Sequence, residues 1–311
     1  MKWEDGRESG NVEDRRGGGI GGIGLGGLAI IVIVGVVYFL VTHKSPAEII
    51  GELSQVAGAS QQGQTGAPKD AEGKFAAVVL GSTEDVWTAR FQAKGMKYEP
   101  PTMVLYDQAT FGGCGLGAQA MGPFYCPNDR KVYLDLEFFQ ELEQKFGAKG
   151  DFARAYVIAH EVGHHVQNLE GLTARIEAAE QQAAQTGGKV AVNQISIRTE
   201  LQADCFAGVW AKDYVASGHA DAGDIDSALS AASAVGDDTI EKKTQGQVVP
   251  DSFTHGTSEQ RMHWFKTGYQ TGSEQACDTF KGMPLPQAGA PGPAPDADGG
   301  DPGQGDQLKR N

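Results

Sequence analysis

His160-Glu161-Val162-Gly163-His164 sets the tightest limit on how this chain folds, because it sits inside the helix-forming run ARAYVIAHEVGHHVQNLEG. On a helix, residues four apart differ by about 40° in direction and stand one turn apart, so His160 and His164 can reach one ion. Glu161, about 100° round from His160, falls beside that pair and can take a proton from water held there without itself being a ligand. Tyr156, Val157, Ile158, Val162 and Val166 supply the apolar support such a site needs. Histidines on a helix are often only surface or core groups. The spacing together with the intervening acid makes metal chemistry the stronger reading.

A catalytic zinc keeps three protein ligands and one open position. Glu170 would lie about 280° round from His160 and about 15 Å along the axis, out of reach. His165, about 140° round, faces elsewhere and reads as a surface or supporting group. Glu200, in RTELQADCFAGVW on a later helix, is the better third ligand, and Asp204 shares its face. Asp204 can accept the free N–H of a ligating histidine and so fix its tautomer. An ExxxD pair alone is usually a solvated face; its partnership with HExxH gives it weight. Two histidines and a carboxylate favour one Zn2+ ion.

The rest of the chain bounds the setting. A net charge of −14 over 311 residues excludes nucleic acid as a partner, since its binders need clustered Lys and Arg. Residues 20–41 carry no charge for 22 positions, enough for a helix to span the roughly 30 Å hydrocarbon layer, and read as a transmembrane signal anchor. Lys2, Arg7, Arg15 and Arg16 precede it and only Lys44 follows closely. The positive-inside rule then predicts a single-pass protein of the cell membrane, with residues 1–19 cytoplasmic and the later domain extracytoplasmic, periplasmic or extracellular. Composition predicts a flexible linker over 42–74, one domain over 75–286 and a disordered tail over 287–311. Within the domain, a helix over 82–94 precedes strands over 102–106, 124–126 and 131–136. Helices over 151–170, 172–185, 193–217, 224–235 and 257–269 follow, the first capped by Asp151 and ended by Gly171. Strands first and helices after give an α+β class, mostly helical with a small sheet. Cys114, Cys126, Cys205 and Cys277 lie on the side predicted to be oxidising and read as two disulfides. Cys114 with Cys126 would close a short loop, and Cys205 with Cys277 would tie the metal-site region to the C-terminal segment. Free thiols and metal ligands are the alternatives.

The blocks CGLGAQAMGPFYCPNDRKVYLD, HEVGHHVQNLEG, RTELQADCFAGVWA and SFTHGTSEQRMHWFKTGY, in that order, resemble the YpfJ-type neutral zinc metallopeptidases over most of 75–280. The resemblance implies a zincin-like fold of gluzincin type, with His160, His164 and Glu200 as zinc ligands and Glu161 as catalytic base. The resemblance does not deliver a substrate; the site itself points to a peptide or protein substrate, hydrolysed as Glu161 deprotonates a zinc-activated water and returns the proton to the leaving amine. His255, in THGTSEQR, is the candidate donor to the tetrahedral oxyanion, with Tyr214 and Tyr156 behind it. A plainer role for His255 is capping the helix that starts near Thr257. The strand over 131–136 could offer an exposed edge to an extended peptide. Two further readings are a zinc amidase acting on cell-wall crosslinks and a non-catalytic adaptor stabilised by zinc. Glu161 argues against the adaptor, because a structural site closes with a fourth protein ligand and needs no base.

Overall fold

The computed structural model describes residues 1–17, 64–66, 68–118, 121–283 and 285–286. The anchor expected at 20–41, most of the linker expected at 42–74 and the tail expected at 287–311 lie outside the described residues. Among the described residues no helix is long and apolar enough to cross a membrane. The architecture is α+β and mostly helical.

Alternation builds the sheet. Strands β1 (Val12–Asp14), β2 (Gln64–Thr65), β3 (Thr102–Tyr106), β6 (Phe124–Cys126) and β7 (Lys131–Asp135) run in the order β2-β1-β3-β7-β6. Met103, Leu105, Val132 and Leu134 point into the main core, while Val104, Tyr106, Tyr133 and Cys126 form a second cluster on the opposite face. A hairpin of β4 (Ala109–Gly112) and β5 (Gly115–Ala118) lies over that second face. Its Gly112 and Gly117 leave room for the stacked rings of Tyr133 and Phe124. The Cys114–Cys126 disulfide ties its turn to β6.

Two expectations change here. The segment over 1–19, expected to stand apart from the domain, supplies β1, which pairs in parallel with β3 and buries Val12 completely. Its arginines are structural: Arg7 donates to Glu84, Asp85 and the Gly81 carbonyl, Arg15 to Glu13 and the Phe111 carbonyl, and Arg16 to Asp14 and Asp70. The folded unit therefore starts well before Phe75. Its first helix, α1 (Ala71–Ala93), begins eleven residues ahead of the expected 82, with Asp70 accepting from the Gly73 N–H as the N-cap. Second, the strand over 131–136 is no edge, since β3 and β6 flank it on both sides. Among the described residues the edge on that side belongs to β6.

Short α2 (Glu137–Gln144) leads to α3 (Asp151–Leu169), which carries the HEVGH run. Gly150, not Asp151, is its N-cap; Asp151 instead accepts from the Trp3 indole. Then follow α4 (Leu172–Thr186), α5 (Gly188–Ala216), α6 (Asp224–Ala234), a short unexpected α7 (Asp237–Thr244) and α8 (Ser258–Thr271). Two glycines let backbones touch where the site forms. A Cβ on Gly163 of α3 would come within 2.9 Å of the Ala203 carbonyl of α5, and one on Gly268 of α8 within 1.9 Å of the Cys205 carbonyl. The second disulfide, Cys205–Cys277, fastens α5 to the segment after α8.

Candidate metal centre

The close approach at Gly163 places α5 against the histidine face of α3. Nε2 of His160 and Nε2 of His164 stand 3.2 Å apart; Glu200 Oε2 is 3.1 Å from the first and Oε1 is 3.4 Å from the second. A tetrahedral ion with bonds of about 2.0–2.1 Å separates its ligand atoms by about 3.3–3.4 Å; the imidazole pair lies near that separation, and one ligand atom from each of His160, His164 and Glu200 falls within 4.8 Å of the others, a donor set suited to zinc with one vertex uncommitted. Glu170, by contrast, caps the end of α3 and pairs with Lys94.

Each histidine is held from behind. His160 Nδ1–H donates to Asp204 Oδ1 at 2.8 Å, and Asp204, fully buried, also accepts from the Tyr156 hydroxyl and from Arg261. Burial opposes a charge on Asp204, but Arg261 and His160 outweigh it and hold its pKa below the usual carboxylate range. Burial likewise opposes protonation of His160, yet Asp204 and Glu200 push its pKa up to about 10. Glu200 goes well down, because the two imidazoles overcome the burial that would raise it. On the other side, His164 Nδ1–H donates to Gln167 Oε1 at 2.9 Å. The Gln167 amide nitrogen donates to the Thr199 carbonyl and to Gln202 Oε1, which fixes its oxygen as the acceptor facing His164. Both histidines therefore carry Nδ1–H and turn Nε2 toward Glu200.

Glu161 is 7% exposed, and no group among the described residues donates to its carboxylate. It lines a cleft of about 480 Å³ whose walls include Met121, Phe124, Tyr125, Phe138, Ile176 and Ile240. Strand β6 thus brings its Phe124 and Tyr125 to the cleft, where the sequence had suggested 131–136.

His255 reaches the same cleft and remains half exposed. Its backbone N–H and Nδ1 both bond Asp237, and that carboxylate raises its pKa. It does not cap α8: Thr257 does, in a reciprocal capping box with Gln260. Neither tyrosine behind it is free to donate into the cleft. The hydroxyl of Tyr156 is spent on Asp204, and that of Tyr214 on the Lys2 carbonyl. His165 is completely buried, not on the surface. Its Nε2–H donates to the Glu99 carbonyl, so Nδ1 accepts from Tyr125, whose oxygen in turn accepts from Asn168. Burial drives its pKa down to about 4, which makes it a neutral strut between α3 and β6.

Sequence reasoning missed Arg261, Gln167 and Gln202 as supports. Gln167 lies three residues after His164 on one helix, a neighbour that spacing alone could have found. Arg261 comes from a separate helix with no spacing signal at all.

A helix-borne histidine pair, a glutamate from a second helix and an unengaged carboxylate at an open cleft define a candidate zinc centre of the HExxH…Glu class. Residues 1–280 match the family described as "Putative neutral zinc metallopeptidase", and the chain belongs to that family. It is 45% identical over 292 residues to "Uncharacterized protein YpfJ" of Escherichia coli (strain K12), covering 90% of this chain and 99% of the relative. It is 45% identical over 199 residues to "Uncharacterized protein Rv2575" of Mycobacterium tuberculosis (strain ATCC 25618 / H37Rv), covering 60% of this chain and 65% of that one. No solved structure matches.

Proposed function

We propose that the chain is a zinc-dependent peptidase that hydrolyses peptide bonds with Glu161 as general base. The observation that carries this reading is the donor set of His160, His164 and Glu200, gathered within 4.8 Å beside the carboxylate of Glu161, which accepts from no group among the described residues. When bound, the ion supplies Lewis acidity that acidifies water and polarises an amide carbonyl. Glu161 takes the proton of the attacking water and delivers it to the departing amine. Asp204 and Gln167 hold the histidine tautomers that leave both Nε2 atoms free. His255, anchored on Asp237 and raised in pKa, is the donor toward the developing oxyanion. Apolar walls and the edge of β6 suit an extended peptide with apolar side chains. In a digest of a peptide library by the full chain, chelation should abolish cleavage and Zn2+ should restore it. Glu161→Gln should keep the metal and lose about a hundredfold to ten-thousandfold in kcat. Full activity of the Gln variant would sink the reading.

The two disulfides support an oxidising, extracytoplasmic compartment. Residues 1–17 share a sheet and a core with residues 64 onward, so we place both flanks of the 20–41 stretch in that one compartment, in place of a cytoplasmic N-terminus. A single membrane crossing would put strands β1 and β3 on opposite faces of the bilayer. Thiol labelling of intact cells at an engineered cysteine replacing Glu8 and at another replacing Lys281 should mark both; labelling of one alone, or of neither, would refute this placement.

A further inference from the structure

Arg261 stands one turn into α8, and only 3% of its surface is exposed. A guanidinium carries five N–H donors in a rigid planar fork. Here Nε donates to Asp204 Oδ2 at 2.8 Å and Nη2 to Asp204 Oδ1 at 2.9 Å, a bidentate clamp. Nη1 donates to the Val235 carbonyl at 3.0 Å, at the C-terminal end of α6. Nη2 also stands 3.3 and 3.4 Å from the two ring nitrogens of His160. An in-plane approach equidistant from both would collide with Cε1, so the guanidinium lies against the face of the imidazole. The ring is therefore fixed twice: Asp204 engages Nδ1 in its plane, and Arg261 covers its face. Four helices meet at this one side chain, α3 through His160, α5 through Asp204, α6 through Val235 and α8 through Arg261 itself.

We propose that Arg261 is a positioning residue of the metal centre, locking Asp204 and the ring of His160 so that Nε2 meets the ion in one orientation. This rests on His160, His164 and Glu200 holding an ion. Lys cannot replace the fork, because an ammonium is a point charge that cannot clamp both carboxylate oxygens and cover a ring.

The test uses the full chain as wild type, Arg261→Lys, Arg261→Gln, Asp204→Asn and the double variant Asp204→Asn/Arg261→Gln. Zn2+ affinity is measured by competition with a chromophoric chelator, the visible spectrum is recorded with Co2+ in the site, and thermal unfolding of the metal-free protein controls for folding. Both Arg261 variants should bind Zn2+ about tenfold to a hundredfold more weakly and shift the Co2+ bands. Where Arg261→Gln does not fold, Arg261→Lys carries the test. Because Arg261 acts largely through Asp204, the double variant should fall within about threefold of the weaker single variant. Wild-type affinity and an unchanged Co2+ spectrum in Arg261→Lys would overturn the proposal, as would losses that multiply in the double variant. Failure of the wild type to bind Zn2+ would instead overturn the site itself.

Discussion

His160 and His164 stand one turn apart on the same helix, yet opposite kinds of support hold them. Behind His160 lies a charged network, with fully buried Asp204 clamped by Arg261 and joined by Tyr156. Behind His164 lies a relay of neutral amides, Gln167 to Gln202 to the Cys277 carbonyl. The first network draws on four helices and works only while each charge has its partner, because an unpaired charge in the interior is costly. The second draws on the next turn of the same helix, on α5 and on the segment after α8, and loses one hydrogen bond at a time. Two candidate ligands side by side can thus differ greatly in how their surroundings fail.

Breaking the charged side should have the largest effect. Asp204→Ala strands the Arg261 guanidinium and should cost about 3–5 kcal/mol in denaturant unfolding of the metal-free protein. Gln167→Leu, on the neutral side, should cost about 1–2 kcal/mol in the same experiment, the penalty of leaving buried amide partners unmet. Equal losses would erase the contrast. Over a single pH unit, a change of similar size sharpens it. With its pKa near 10, metal-free His160 is protonated at neutral pH, and an ion must displace that proton from Nε2. Zn2+ affinity should therefore rise with pH up to about 10, about tenfold, or 1.4 kcal/mol, per unit from this residue. Calorimetry of Zn2+ binding in buffers of different ionisation enthalpy reads the released proton; no release would contradict the protonated state.

Much of the site was legible in the chain. The helix carrying His160, Glu161 and His164 follows from local periodicity, and so does the shared face of Glu200 and Asp204. The strands over 102–106 and 124–126 follow from β-branched and aromatic residues between turn signals. Less legible were elements whose identity comes from distant partners. Strand β1 has only three residues, and it is a strand because β3 pairs with it from about ninety residues away. The arginines that flank the apolar stretch read as an orientation signal, yet Arg7, Arg15 and Arg16 each have carboxylates to pair with inside the fold. For His165 the helical angle left a surface and a supporting role open, and only the strand and loop that bury it decide for the supporting one.

By itself, the sequence determined which residues share a helix face, since a 3.6-residue repeat is a property of the backbone and needs no partner. That was enough to name two imidazoles, the carboxylate beside them and the glutamate suited to complete the set. Only the tertiary structure decided that Arg261 reaches Asp204 and His160, that the edge at the cleft is β6, and that residues 1–17 supply an interior strand of the sheet. These depend on contacts between segments remote in the chain, and such contacts are fixed by close packing and by the pairing of buried polar groups, which no local pattern encodes.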